Sequence, residues 1–286
     1  MEPEGVESPF IYESELVRIG RHRCAPWSRA WREENPITTG PLMVFPSRAV
    51  WIEQADREAV VASANRVVFH NLGVPYQRSL IDQRGEDSIY VTFASGVFAG
   101  IMREIDPGAS EDPERPFSFV HAPVDARSYL TQRRLARRIL RGESVEAMEV
   151  EETMIELARE LLRAGRTARV GKSGAARTST LRAHRDLARA AEDVLARRFR
   201  ERVTLSGLAR SVHSSPYHLA RVFRTHTGMS VHGYLQGLRL RAGLVALESQ
   251  GGLSELGRSL GFSSHAHFTT AFKREFGVAP SEERAG

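Results

Sequence analysis

The spacing of apolar positions changes period along the chain, and each period predicts a different kind of element. From about Leu16 to about Phe93, short apolar runs recur between turn residues: Leu16-Val-Arg-Ile, Pro41-Leu-Met-Val-Phe, Val50-Trp-Ile, Ala59-Val-Val-Ala, Arg66-Val-Val-Phe and Ser88-Ile-Tyr-Val. Runs of this length and β-branched content predict strands. The breaks between them hold Asn35-Pro36, Ala55-Asp56, Asn71-Leu-Gly73 and Gln83-Arg-Gly85. This turn chemistry punctuates a meander, so the segment predicts an all-β sandwich or small barrel. Residues 106–116 carry three prolines and no large apolar side chain, which predicts an exposed loop.

Helical periodicity takes over after Pro123. Leu130, Leu135, Ile139 and Leu140 share one face, and Val150, Met154, Leu157 and Leu161 share the next. Asp125 and Ser144 are candidate N-caps, with Gly142 between the two helices. Such a stripe is buried either against its own domain or against a second copy, and a homodimer through 125–163 is the expectation. Residues 164–180 are small, polar and basic, which predicts a flexible linker at a domain boundary. The expected organisation is a domain at 1–163, a linker at 164–180 and a second domain at 181–286.

The second domain contains an internal repeat. Leu205-Ser-Gly-Leu-Ala-Arg-Ser-Val returns 48 positions later as Leu253-Ser-Glu-Leu-Gly-Arg-Ser-Leu. Ser214-Ser215, Leu219, Phe223 and Gly228 return 49 positions on, as Ser263-Ser264, Phe268, Phe272 and Gly277. One residue inserted in the Gly261-Phe262 turn accounts for the change of offset. Each copy reads as helix, tight turn, helix. Thr204 caps the first helix of the first copy, Ser215 and Ser264 cap the two second helices, and Gly228 and Gly277 close them.

Leu219, Val222 and Phe223, like Phe268, Ala271 and Phe272, line the face that packs on the preceding helix. The opposite face holds Tyr217, His218, Ala220, Arg221 and Arg224 in the first copy, and Ser264, His265, Ala266, Thr269, Thr270 and Lys273 in the second. A helix-turn-helix places such a face in the major groove of DNA. Arg221 has the planar fork that reads guanine, or alternatively clamps a phosphate. Tyr217 suits a sugar or thymine methyl, or a core position. His265 and His267 alternate like metal ligands, but residues two apart on a helix face different ways. Between the copies, a helix capped by Ser230 is expected from Val231 to Ser249. Its 19 residues would span roughly 28 Å, against the ~34 Å between successive major-groove faces.

Charge sharpens this picture. The 286-residue chain has a net charge of +5. Residues 1–165 carry 20 arginines against 26 acids, for a balance of −6, and residues 166–286 carry 20 basic side chains against 9 acids, for +11. Positive charge gathered in the domain with the repeat is the footprint of a polyanion partner. The apolar stretches Gly40 to Phe45 and Ile89 to Ile101 are too short or too interrupted to span a bilayer, and acid follows Met1 where a secretory signal would carry a basic residue. A single cysteine, Cys24, allows no internal disulfide. A cytoplasmic protein is expected, associated with the nucleoid when bound to DNA. No nucleophile elbow, phosphate loop or metal cluster is present, so neither an enzyme nor a cofactor is expected.

Residues 181–286 resemble the DNA-binding domain of the AraC/XylS family of bacterial regulators. The resemblance rests on Gly261-Phe262-Ser-Ser-His-Ala-His-Phe268-Thr-Thr-Ala-Phe272-Lys273-Arg274-Glu-Phe276-Gly277-Val-Ala-Pro280-Ser281, together with Arg239-Leu240 and Ala242. Two departures are Ala279, where a hydroxyl residue usually caps the last helix, and Ala220, where many relatives carry a larger polar residue. The last helix is therefore expected to be short and frayed. The resemblance implies that residues 10 to about 122 are a cupin-like β-barrel sensor and that the helices at 125–163 join two subunits.

The fold class expected is α+β multidomain: a cupin-like β-barrel with a helical pair, then an all-α domain of two helix-turn-helix units joined by a long helix. The partners expected are double-stranded promoter DNA, RNA polymerase, a second copy of the chain and a small-molecule effector, with no membrane. His22, Cys24, Trp51, His70 and Tyr76 are the candidate effector residues. His22, Cys24 and His70 could converge on a soft metal, although the paired histidines of metal-binding cupins are absent. Cys24 beside Arg21 and Arg23 is either a redox sensor or an inert thiol. The function expected is a signal-responsive transcription regulator. An architectural DNA-binding protein, whose first 165 residues serve only assembly, is the alternative.

Overall fold

The computed structural model describes residues 3–55, 57, 59–170, 178–248 and 252–285. It divides into two compact units, Met1–Gly171 and Lys172–Gly286.

The first unit is built on strands β1 (Val6–Glu7), β2 (Phe10–Glu13), β3 (Val17–Cys24), β4 (Leu42–Pro46), β5 (Val50–Gln54), β6 (Val60–Ala62), β7 (Arg66–His70), β8 (Tyr76–Leu80), β9 (Glu86–Phe93) and β10 (His121–Pro123). Helices α1 (Val97–Ile105), α2 (Ala126–Leu140) and α3 (Ala147–Val170) complete it. One sheet runs β1-β3-β9-β4-β7-β10, with β2 also paired to β3, and the second runs β6-β5-β8. All the strand pairs are antiparallel. β9 is buried along its whole length because it lies between β3 and β4 and is covered on both faces. Gly20 pairs with Tyr90 across β3 and β9, and a Cβ at Gly20 would stand 2.1 Å from the Tyr90 ring. Glycine is thus what lets that ring cross the neighbouring strand.

The expected strands are all present, with β1, β2, β8 and β10 in addition. Asp125 caps α2 by accepting from Ser128 N–H at 2.8 Å, and Gly142 follows that helix at φ 71°. Ser144 is not a cap: α3 begins at Ala147, three residues later. The 164–180 segment is largely helical at its ends, with α3 reaching Val170 and α4 starting at Thr178. The intervening part of the expected linker lies outside the described residues. Val150, Met154, Leu157, Leu161 and Leu162 on α3 are buried within their own unit, where α3 packs on β10, α1 and α2. Each such side chain contributes about 1.5–3 kcal/mol by leaving water. The α3 stripe is therefore consumed within its own unit, whereas Leu140 at the end of the α2 stripe stays exposed.

The second unit comprises α4 (Thr178–Arg198), α5 (Leu205–Ser211), α6 (Pro216–Thr227), α7 (Val231–Ala246), α8 (Leu253–Ser259), α9 (His265–Phe276) and α10 (Pro280–Ala285). Ala191 and Leu195 of α4, Leu208 and Ala209 of α5, Leu219 and Phe223 of α6, and Tyr234 of α7 form one core. Phe262, Phe268, Phe272 and Phe276 stack in series at 5.3, 5.6 and 4.7 Å between centroids and fill the other. α7 joins the two cores. It spans 16 residues rather than 19, about 24 Å of rise. α10 is short, and an acid three residues on reaches back to the residue before it: Glu282 Oε2 accepts from Ala279 N–H at 2.8 Å.

Candidate nucleic-acid interface

Both helix-turn-helix units are locked at the ends of their second helices. Ser215 Oγ accepts from His218 N–H at 3.2 Å, and Pro216 then occupies the first turn of α6, where no donor is required. Ser264 Oγ accepts from His267 N–H at 3.1 Å at the start of α9. Gly228 and Gly277, at φ 75° and 78°, end the two helices in the left-handed conformation. The turns before them use the same backbone shape with different residues, His213 at φ 52° and Gly261 at φ 84°.

This framework sorts the candidate contact residues by exposure. On α6, Tyr217 is 81% exposed, which removes the core alternative for that ring. Arg221 and Arg224 are exposed, and Ala220 is half-buried beside them. His218 is half-buried, with its ring 5.3 Å from His184 of α4 and its Nδ1 3.5 Å from Arg221 Nη2. It braces α6 against α4 and steadies Arg221. On α9, His265, Ala266, Thr270 and Lys273 are exposed and Thr269 is half-buried. Ser264 is committed to its cap. His265 is less free than its position suggests: its Nδ1 donates to the Leu253 carbonyl at 3.0 Å, and its Nε2 lies 3.4 Å from Thr269 Oγ1. It ties α9 to the start of α8. His267 turns away to Ser263 Oγ at 3.0 Å and the Phe262 ring, so the two histidines share no site.

Two features escape a reading of helix faces alone. Arg210 and Arg258 sit exposed in the last turns of α5 and α8, at equivalent positions of the repeat, and add cationic charge beside each second helix. The repeat offset is the signal that finds them. Arg239 of α7 is the other. Its Nε donates to Phe199 O at 2.6 Å and its Nη2 to Glu201 O at 2.7 Å, while its guanidinium lies over the Phe262 ring. One side chain thereby links the entry to the first unit, the connecting helix and the turn of the second.

Residues 208–286 match a family model described as a helix-turn-helix domain. The bifunctional transcriptional activator/DNA repair enzyme AdaA of Bacillus subtilis is 31% identical over 87 residues, covering 30% of this chain and 41% of that protein. The transcriptional activator RhaS of Escherichia fergusonii is 36% identical over 89 residues, covering 31% of this chain and 32% of its own. The arabinose operon regulatory protein of Escherichia coli K12 is 32% identical over 83 residues, 29% of this chain and 28% of its own. The C-terminal unit is an AraC-type DNA-binding domain. The chain covers less than half the length of each of these relatives, and what they share with it is this domain.

Upstream of the AraC-type domain, the first unit holds a cavity of about 550 Å³ that is lined from both sheets and open to solvent at its rim. His22, His70 and Tyr76 of the candidate effector residues line it. Trp51 does not, because the alternation along β5 turns Val50 and Ile52 inward and Trp51 to the other face. Cys24 is buried with its thiol pKa pushed up by that burial, the opposite of a reactive thiolate. Among the described residues, no three His, Cys, Asp or Glu side chains are placed to hold a metal ion, so His22, Cys24 and His70 do not converge on one.

Arg78 and Glu86, which sequence reasoning missed, complete the polar end of the cavity with a 2.9 Å ion pair, both side chains under 10% exposed. Burial opposes ionisation of Glu86, yet His22 and Arg78 beside it bring its carboxyl down to about 2. Burial lowers His70 to about 4 and pushes Tyr76 up to about 12, so both stay neutral. Gln54 Nε2 donates to Phe69 O at 2.7 Å and to His70 Nδ1 at 3.2 Å, which leaves the His70 proton on Nε2.

Proposed function

We propose that this chain is a sequence-specific, signal-responsive transcription regulator. Its AraC-type domain reads promoter DNA, and residues 1–171 sense a small molecule in the manner of a cupin-like barrel. The observation that carries the reading is the pair of equivalently capped second helices, α6 and α9, each with its apolar face buried and a basic or polar face open. Arg221 is assigned to base reading, because its planar fork stands on the open face midway along α6. Arg224 and Lys273 are assigned to phosphates. Because α7 rises only about 24 Å against the ~34 Å helical repeat, DNA must bend for both helices to enter successive grooves. RNA polymerase is the expected second partner, at promoters. Homodimerisation through the helices at 125–163 would use their outward faces, where Leu140 and Met148 are exposed apolar side chains.

Selection of genomic fragments by the full-length protein tests the reading. It should enrich a motif of two half-sites about ten base pairs apart. Uniform binding without a motif would point instead to the architectural alternative.

A further inference from the structure

We propose that the cavity of the first unit binds an uncharged, mainly apolar small molecule carrying a single hydrogen-bonding head such as a hydroxyl or amide. The proposal rests on the reading of residues 1–171 as the sensing unit and specifies the chemistry of what it senses. A volume of about 550 Å³ falls in the range of small-molecule sites. A continuous part of the wall is aliphatic: Leu42 and Val44 from β4, Val50 and Ile52 from β5, Ala62 from β6 and Val68 from β7, with Asn35, Thr38 and Thr39 toward the rim. The aliphatic part rewards an apolar body.

The polar end fixes the charge. Arg78 and Glu86 neutralise each other within the cavity wall, Arg78 Nη1 also donates to His22 Nε2, which in that contact carries no proton, and His70 and Tyr76 beside them stay neutral. An anion entering here would face the buried Glu86 carboxylate, and a cation would face Arg78. Neither would find a free counter-charge, and a buried unpaired charge is costly. The rim adds Glu33 and Glu34, both exposed, which further disfavours anions. The same end nonetheless offers hydrogen bonds. His70 presents its Nε2 proton, and the Ser88 hydroxyl, which donates to Glu86 Oε1 at 3.4 Å, lines the cavity with an oxygen still able to accept. A donor and an acceptor at the polar end of a chamber with no net charge match a hydroxyl or amide on an apolar body.

The test uses the full-length protein and four probes of one length: octan-1-ol, octanamide, octanoate and octylammonium, titrated by calorimetry at neutral pH. The two neutral probes should bind at least tenfold more tightly than either ion. Ala62→Leu, which narrows the chamber, should weaken the neutral probes tenfold. Glu86→Gln, which leaves Arg78 without its counter-ion, should move the preference toward octanoate by at least tenfold. The proposal is overturned if an ion binds as tightly as the neutral probes, if none of the four binds, or if the ranking is unchanged by Glu86→Gln in a folded variant. DNA affinity measured in the same samples separates the two readings. Tight binding of neutral probes with DNA affinity unchanged supports this proposal while removing the sensing role, whereas an inverted ranking that still alters DNA affinity does the reverse.

Discussion

His213 and Gly261 stand at the same backbone turn in the two copies of the repeat, yet only one of them is glycine. A Cβ at Gly261 would lie 2.7 Å from the Arg200 carbonyl oxygen and 2.8 Å from Arg239 Nη2, so the second turn has no room for a side chain. Gly261→Ala should therefore cost about 1–3 kcal/mol, combining left-handed strain with a clash against backbone. His213→Gly relieves strain but frees the unfolded chain, and should fall within roughly 0.5 kcal/mol of neutral. Thermal unfolding followed by helical circular dichroism compares the two, and equal effects would refute the packing argument. Arg221→Ala should relax preference at one base position by about 1–3 kcal/mol of discrimination, and Lys273→Ala should weaken all sequences alike and lower the salt slope by about 1. Binding to a randomised site library at several salt concentrations reads both, and uniform losses for both variants would overturn the assigned roles. At this scale the sequence displays caps and open faces well, because both follow from local spacing. It does not display the anchoring of His265, whose partner carbonyl at Leu253 is 12 positions away.

Among elements, legibility follows how each segment buries its stripe. α6 and α9 show three large apolar residues at helical spacing between a capping serine and a closing glycine, and both stand where expected. α4 escapes notice because its inward positions include Ala188, Ala191 and Ala196, small residues among many arginines. β8 escapes because its buried side chain is Arg78, whose partner Glu86 belongs to another strand. No local pattern reveals such a pairing. α7 is shorter than its apolar period suggests, since the same spacing continues beyond the last helical residue, Ala246. The element with the least tolerance is α9. Phe268 is fully buried and seats against Gly257, where a Cβ would stand 2.8 Å from that of Phe268, and its ring lies close to Gly243. Phe268→Ala should destabilise the second helix-turn-helix by about 3–5 kcal/mol. On DNA this should erase footprint protection over one half-site while the other, served by α6 and its separate core, persists. Loss of both halves together would mean that the two cores fold as one.

At the scale of the whole chain, two units differ in charge and can be watched separately, because all three tryptophans, Trp27, Trp31 and Trp51, lie in the first. Tryptophan fluorescence therefore reports on the unit that contains the cavity, and its buried groups predict how that unit responds to acid. His70 takes up a proton in the folded unit only near pH 4, whereas in the unfolded chain it does so near 6.5. The unfolded state thus binds more protons between those values, so stability is full above pH 6.5 and falls as pH drops toward 4. Glu86 acts in a lower window. Its folded value of about 2 lies below the ordinary 4.5, so its contribution holds above 4.5 and is lost as pH falls toward 2. Between pH 7 and pH 5 the His70 contribution dominates the pair, and the first unit should lose on the order of 2 kcal/mol in denaturant unfolding. His70→Gln removes the titrating group while keeping a polar side chain in its place, and should flatten most of that fall. A midpoint that does not move between pH 7 and pH 5 in the native protein, or one that falls equally in the variant, would contradict a neutral imidazole buried at the cavity wall.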